Sequence, residues 1–169
     1  CGTCIIIMDK ELFKQTIWDY YRDNKRDFPW RFYPTPYQVV VSEIMLQQTQ
    51  TERALSKYAA FITELPNFEA LAQASSRQVL GLWQGLGYNR RGLALHQAAQ
   101  KICSDYNGVV PEEPAVLETF KGTGPATAAS ICAFAYNKPT VFIETNIRAV
   151  FIHCFFPSKE SVHDKELLP

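Results

Sequence analysis

The chain has 169 residues and equal numbers of acidic and basic side chains, so its formal net charge at pH 7 is zero. This balance excludes a protein whose whole surface is basic, and it confines any nucleic-acid-binding surface to a local patch. The length fits one compact domain or a small two-lobed one, and a hydrophobic share of 47% allows a sizeable core. No apolar run approaches the roughly 18 residues of a membrane span, so we expect a cytoplasmic protein without a membrane partner.

The five cysteines argue against a disulfide framework, because their number is odd and their spacing is wide. Cys1 and Cys4 form a lone C-x-x-C pair, without a second pair at the spacing of a zinc site. Met8 begins a stretch that is typical of a natural start, so we interpret residues 1–7 as an upstream extension without a function of its own. The sequence therefore shows no evident metal or cofactor ligands.

The first half of the chain has a helical period that one proline-rich segment interrupts. Asp9 is a suitable N-cap for a helix over 9–24, where apolar residues recur at helical spacing. Residues 27–36 contain three prolines and break the pattern. Helical spacing then predicts one helix over 37–48 and another over 51–65.

Shorter elements follow in the second half. The prediction in chain order is a helix over 67–74, a helix over 76–84, a turn over 85–88, a helix ending at Asn107, a short helix over 116–120, a hairpin, a helix over 125–137, an extended segment over 139–143 and a helix over 146–156. Strands are scarce, so the predicted fold class is all-α. We predict a six-helix domain over 30–141 that contains a helix-hairpin-helix at about 114–137. Residues 8–29 and 142–169 would form a second helical lobe whose C-terminal part is incomplete.

A carboxyl group interrupts one apolar helix. Glu43 lies among Val40, Ile44 and Met45, where it would be desolvated. Desolvation favours the protonated form of a carboxyl group and suits it to general-acid catalysis. Alternatively, Glu43 lies on the solvated face of the helix, which amphipathicity alone favours.

Polar residues at the end of the same helix are candidates for nucleic-acid contact. They are Gln47, Gln48 and Thr49. An amide side chain both donates and accepts hydrogen bonds, so a glutamine can bond a base edge or fill a gap in a base stack.

The turn that follows residue 84 combines glycine, aromatic and basic residues. Tyr88 could enter a base stack as a wedge while Arg90 and Arg91 contact phosphates. The alternative is a surface turn with a packed tyrosine, and the residues alone favour neither interpretation.

Two glycines flank a threonine at the predicted hairpin. Gly122 and Gly124 allow a sharp turn and a close approach of the backbone to a ligand. The amides of Thr123 and Gly124, with those that begin the next helix, would point at an anion such as a DNA phosphate. A short glycine pattern is also typical of an ordinary loop between core helices.

A second carboxyl group follows the extended segment. Glu144 would lie at or near the N-terminus of the last helix, where the helix dipole favours a carboxylate. Locally, a capping role is the simpler interpretation. The three histidines share no motif spacing and are interpreted as structural or surface residues.

Taken together, these stretches resemble the helix-hairpin-helix, endonuclease III-like DNA glycosylases, and within them the adenine DNA glycosylase branch. The resemblance covers about residues 9–156. The motifs that carry it, in order, are Phe28-Pro-Trp-Arg31, Ser42-Glu-Ile-Met-Leu-Gln-Gln-Thr-Gln50, Gly85-Leu-Gly-Tyr88, Gly122-Thr-Gly124 and Asn146-Ile-Arg148.

The resemblance implies catalytic roles. Glu43 matches the acid that protonates the departing adenine ring, and Glu144 falls where the family has an aspartate that stabilises the positive sugar. Protonation of a leaving group next to a stabilising carboxylate is also how glycosides are hydrolysed. The implied reaction is hydrolysis of the N-glycosidic bond of adenine mispaired with 8-oxoguanine or guanine, in base excision repair.

The resemblance also implies contacts with mismatched double-stranded DNA by a monomer, in the nucleoid of a bacterium or in a nucleus. The target base must first leave the stack. Residues assigned to DNA contact are Arg31, Gln47, Gln48, Thr49, Tyr88, Arg90, Arg91, Gly122, Thr123 and Gly124. Bifunctional relatives have a lysine nucleophile just after the hairpin; Ala126 stands there, which implies base release without strand cleavage.

The sequence departs from the family pattern in four respects. Glutamate replaces aspartate at 144, and Lys121 replaces the usual proline before the hairpin glycine. The cysteine motif of the family's 4Fe-4S cluster and the domain that reads the oxidised guanine have no counterpart, which suggests a fragment. Two rival hypotheses stay open: a glycosylase for another mispaired base, such as uracil or thymine, and a non-catalytic binder of distorted DNA.

Overall fold

A computed structural model describes residues 9–159 and 161–167, and these residues contain helices and no strands. The predicted all-α class is confirmed. The extension predicted at residues 1–7 lies outside the described residues. The helices are α1 (Lys10–Asn24), α2 (Pro36–Leu46), α3 (Thr51–Glu64), α4 (Phe68–Gln73), α5 (Ser76–Trp83), α6 (Asn89–Tyr106), α7 (Pro114–Leu117), α8 (Pro125–Tyr136), α9 (Thr145–Phe155) and α10 (Asp164–Leu167), with a 3₁₀ turn at Pro29–Arg31.

Local capping chemistry determines where several helices begin and end. The Asp9 carboxylate accepts hydrogen bonds from the first-turn amides of α1. Thr35 and Gln38 form a reciprocal capping box at the start of α2. Asn107 and Asn137 adopt left-handed backbone conformations that end α6 and α8, a conformation that asparagine tolerates better than most residues.

By contact density the chain divides into two units, one of them Phe28–Thr140. Helix α2 lies at the centre of this unit, with α3, α6, α8 and the 3₁₀ turn packed against it. Its buried residues are Tyr37, Val39, Val40, Val41, Ser42, Ile44 and Met45. Fully burying one large apolar side chain stabilises a fold by about 1.5–3 kcal/mol. Because several such residues fix α2 in the core, a polar side chain on this helix projects from a firmly held backbone.

The other unit combines the described residues up to Asp27 with those from Val141 onward. Phe13 of α1 makes edge contacts with Phe151 and Phe155 of α9, at centroid distances of 5.5 and 4.9 Å. Arg148 of α9 forms an ion pair with Asp164 at 2.8 Å. The sequence predicted two domains that divide near residues 30 and 141. That division into domains stays a prediction. Among the described helices, none is long and apolar enough to cross a membrane.

Candidate functional site

Glu43 contacts a hydroxyl group on the neighbouring helix. The Ser130 Oγ donates a hydrogen bond of 2.7 Å to the Glu43 Oε2. Ser130 is only 1% exposed, and Glu43 itself is half-buried on α2. This contact turns the carboxyl group toward α8 and away from the fully solvated position that amphipathicity alone favoured.

Helix α8 provides an unusual setting for that contact, because its twelve residues include no charged side chain. Ser130 and Thr127 are its aliphatic hydroxyl residues, one turn apart on the helix. The Ser130 Oγ also lies 3.0 Å from the Thr127 carbonyl oxygen. Sequence reasoning missed both residues; the available signal was a serine within an otherwise apolar, alanine-rich helix.

Gln47 connects the end of α2 to the hairpin. Its Nε2 donates to the Gly122 carbonyl and to the Thr127 Oγ1, both at 3.1 Å. The amide nitrogen thus bridges α2 and the hairpin, and the predicted contact of Gln47 with a base edge stays a prediction.

Gln48 and Tyr88 have a backbone conformation in common. Both are exposed, and both have positive φ angles, 52° and 48°. Such values are uncommon for residues other than glycine and are maintained by the surrounding structure. Tyr88 remains 62% exposed, so the interpretation as a packed tyrosine is wrong, and both side chains are presented on short, constrained turns.

The guanidinium of Arg91 is hydrogen-bonded within the protein, and its predicted phosphate contact stays a prediction. Its two terminal nitrogens donate to oxygens of Ile44, Met45, Gln47, Thr49, Leu86 and Gly87. These oxygens lie at the end of α2 and in the turn before Tyr88, so the guanidinium joins the two segments that carry Gln48 and Tyr88. Burial lowers the pKa of Arg91, and an arginine nevertheless stays charged at neutral pH.

Thr49 belongs to the same network. Its Oγ1 accepts from Arg91 at 2.9 Å and donates to the Gln47 carbonyl at 3.2 Å. These internal bonds stabilise the turn at Gln48, and the predicted DNA contact by Thr49 stays a prediction.

The hairpin differs in detail from the prediction. Gly122 has a φ of +82°, which explains the glycine. Thr123 is buried, and its amide donates to the Phe120 carbonyl at 3.1 Å. The prediction that this amide points at an anion is therefore wrong, because the turn itself uses it.

Gly124 is the N-cap of α8, and no side chain caps that helix. An added Cβ at Gly124 would meet no atom within 4 Å. A helix N-terminus with uncapped amides and open space in front of it can accept an oxyanion, so Gly124 stays a candidate for phosphate contact.

The other two arginines of the prediction are exposed. Arg90 lies in the first turn of α6, next to the internally bound Arg91. The Arg31 guanidinium lies 4.1 Å from the centroid of the Phe134 ring, a cation–π contact that leaves it accessible. Both remain available for contact with phosphates.

Glu144 is the N-cap residue of α9, yet its side chain makes no capping hydrogen bond. The predicted position at the N-terminus of the last helix is confirmed, whereas a capping hydrogen bond from the carboxylate is not formed. Glu144 is exposed, and it lies in the unit that contains α1 and α9.

The described cysteines do not fit an iron–sulfur cluster. The buried Cys132 thiol on α8 donates to the Glu112 carbonyl at 3.2 Å, while Cys103 and Cys154 lie on α6 and α9. Over residues 9–159 and 161–167, no three metal-ligating side chains come together. No catalytic step is therefore assigned to a metal group in this part of the chain.

The fold and this arrangement define a helix-hairpin-helix protein with a carboxyl group held next to the hairpin helix. Residues 41–167 match the model of the HhH-GPD superfamily base excision DNA repair proteins. The chain belongs to this family.

Curated relatives share much of the sequence. The chain is similar to an adenine DNA glycosylase of Mycobacterium tuberculosis, with 40% identity over 132 residues, covering 78% of this chain and 43% of the relative. An adenine DNA glycosylase of Buchnera aphidicola is 32% identical over 158 residues, covering 93% and 45%. The chain thus spans less than half the length of either relative.

A solved structure supports the same fold. A thermostable thymine-DNA glycosylase superposes with a TM-score of 0.78 and 26% identity, covering 83% of this chain and 65% of that one. The architecture is therefore shared among glycosylases whose names give different target bases.

Proposed function

We propose that this protein is a monofunctional DNA glycosylase of base excision repair that hydrolyses the N-glycosidic bond of adenine opposite 8-oxoguanine or guanine. The observation that carries the proposal is the Glu43 carboxyl group, half-buried on α2 and hydrogen-bonded to a buried hydroxyl on the hairpin helix. The curated adenine DNA glycosylases that share 32–40% of the aligned sequence support the choice of base.

In the proposed reaction Glu43 is the general acid. It gives its proton to a ring nitrogen of the extruded adenine while the electron pair of the glycosidic bond leaves with the base. Water then adds its oxygen to the sugar carbon, and the proton it releases restores Glu43. General-acid catalysis of this kind typically contributes about 10²- to 10⁴-fold in rate.

We further propose that Glu144 stabilises the positive charge on the sugar, as the family resemblance implies. Its side chain is not used for capping, so its charge is available for this role. A carboxylate close to an oxocarbenium-like sugar is effective because it is aimed at charge that develops in the transition state.

DNA binding is assigned to a local surface in keeping with the zero net charge. Gln48 and Tyr88 would enter the base stack after the target nucleotide has left it. Arg31, Arg90 and the α8 N-terminus at Gly124 would contact phosphates, which position the duplex without reading its sequence. We propose that a monomer binds one mismatched duplex.

A second candidate function is removal of another mispaired base. The structural neighbour named as a thymine-DNA glycosylase favours this alternative. The target base is selected by the protein's direct contacts with it, through a hydrophobic pocket or through groups that hydrogen-bond to its edge.

A panel of mismatched duplexes tests the proposal. The purified protein is incubated with duplexes that place adenine opposite 8-oxoguanine, guanine or thymine, and with uracil and thymine opposite guanine. Release of adenine from the first two alone is expected. Release of thymine or uracil would establish the second candidate, and tight binding without release of any base would show a non-catalytic binder of distorted DNA.

A further inference from the structure

One buried hydroxyl group is positioned to serve both protonation states of Glu43. The Ser130 Oγ lies 2.7 Å from the Glu43 Oε2 and 3.0 Å from the Thr127 carbonyl oxygen. A hydroxyl group has one hydrogen to donate and two lone pairs that accept. It therefore cannot donate to both oxygens fully at the same time.

Two hydrogen-bonded arrangements satisfy these three atoms. When Glu43 is a carboxylate, the Ser130 hydroxyl donates to Oε2. When Glu43 is a carboxylic acid, the proton lies on Oε1 and is directed to the base, while the Ser130 hydroxyl donates to the unprotonated Oε2 or shares its hydrogen with the Thr127 carbonyl. Neither state leaves a buried polar atom without a partner, which would cost about 1–3 kcal/mol.

We propose that Ser130 is a positioning residue for acid catalysis: it fixes the orientation of the Glu43 carboxyl group before and after proton transfer. The inference rests on the proposed function of Glu43. The proton that reaches the base comes from Glu43, Ser130 has its single hydrogen before and after the step, and water supplies the proton that restores the acid.

Several titratable groups lie on the elements that pack against α2. On α8, the titratable groups are bound elsewhere, with the Cys132 thiol on the Glu112 carbonyl and the Tyr136 hydroxyl on the Val110 carbonyl. Arg91 of α6 reaches α2 through the carbonyls near its end. The further charged or titratable side chains on elements packed against α2 are Arg31 on the 3₁₀ turn, Glu52, Arg53, Lys57, Tyr58 and Glu64 on α3, and Arg90, His96, Lys101, Cys103, Asp105 and Tyr106 on α6.

The predicted consequence of Ser130→Ala is a change in rate and in pH dependence. We expect kcat to fall roughly 10- to 100-fold, because a loosely oriented acid is misplaced, while the Kd for DNA stays unchanged. The bond to the carboxylate is charge-assisted and stronger than the bond to the acid. Its loss should therefore raise the pH at which Glu43 gives up its proton by about 0.5–1 unit.

The test follows the carboxyl group directly. Carbon NMR of the labelled Glu43 side chain is recorded from acid to alkaline pH in the wild type, Ser130→Ala and Ser130→Cys, next to single-turnover base release. Thermal melting confirms folding; alanine is the better helix former, and cysteine retains the volume with a weak donor. We expect Ser130→Cys to fall between the other two proteins.

The possible outcomes separate the two proposals. Identical Glu43 titrations in wild type and Ser130→Ala, or equal rates, would overturn the role of Ser130. A shifted titration in a protein that releases no base from any duplex would support the Ser130 contact and reject the proposed function instead. A fall in rate that persists undiminished when Ser130→Ala is added to Glu43→Gln would indicate a packing effect independent of the acid.

Discussion

The two candidate catalytic carboxylates lie in contrasting surroundings. Glu43 projects from a helix that is buried on most sides, and a hydroxyl of 1% exposure holds it. Glu144 stands exposed at the start of α9, after a segment without regular secondary structure, and makes no capping hydrogen bond. The difference shows that the acid is oriented by packing, whereas the position of the second carboxylate depends on the backbone that precedes it.

This contrast accords with the chemistry proposed for each residue. An acid must present one oxygen to one atom of the base, which requires a fixed orientation. A carboxylate that stabilises a positive sugar acts through charge, and its energy falls off gradually with distance. A longer side chain at position 144, in place of the family's aspartate, is more tolerable than a change at position 43 would be.

Removal of the acid gives the largest expected effect. Glu43→Gln keeps the shape of the side chain but cannot deliver a proton, so base release should fall by about 10²- to 10⁴-fold with nearly unchanged DNA binding. Single-turnover kinetics and binding titration measure the two quantities. Glu64→Gln on the exposed surface of α3 is the matched control and should match the wild type; a wild-type rate in Glu43→Gln would remove Glu43 from the mechanism.

Variants of Glu144 test whether the exposed carboxylate contributes to base release. Glu144→Gln should lower the rate of base release by about 10²-fold if its charge stabilises the transition state. Glu144→Asp retains the charge and is expected to remain well above Glu144→Gln, although a displacement of about 1 Å can itself be costly. If both variants released base at the wild-type rate, Glu144 would be an ordinary surface charge.

Adjacent arginines provide an internal comparison for stability. Arg91→Lys removes the planar fork that binds several carbonyls, and leaving buried acceptors unpaired should lower the free energy of unfolding by about 2–3 kcal/mol. Arg90→Lys, at an exposed position, should change it by less than about 0.5 kcal/mol. Urea denaturation of the two variants measures both values, and equal values would contradict the internal role of Arg91.

The smallest expected effect is a change in how strongly the affinity for DNA depends on salt concentration. Each phosphate contact adds about 0.9 to the slope of log affinity against log salt concentration. Arg90→Ala should lower that slope by about this amount, and Arg77→Ala on α5 should leave it unchanged. A wild-type affinity that hardly varied with salt would contradict the local phosphate-binding surface.

Sequence patterns predicted the helices and the hairpin, because those depend on local periodicity, capping and glycine. The catalytic role of Glu43, which the family resemblance implies, stays a prediction. Sequence patterns could not show that Arg90 is exposed while the Arg91 guanidinium is enclosed by the protein. Successive helical residues point about 100° apart, and only the approach of the α2 end, 44 residues earlier, determines which guanidinium is enclosed. The same reason applies to Thr123 and Ser130, whose roles depend on partners brought close by folding.

The most direct test of the central claim, hydrolytic release of adenine by a nucleophile-free site, uses a duplex with one adenine opposite 8-oxoguanine. Chromatography measures the free base, and electrophoresis before and after hot alkali measures strand breaks, with borohydride added in a parallel reaction. Because Ala126 offers no amine to form a Schiff base, we expect free adenine equal to the abasic sites formed, strand breaks only after alkali, and no trapped adduct. A borohydride-trapped covalent complex, or bound duplex from which no adenine is released, would contradict it.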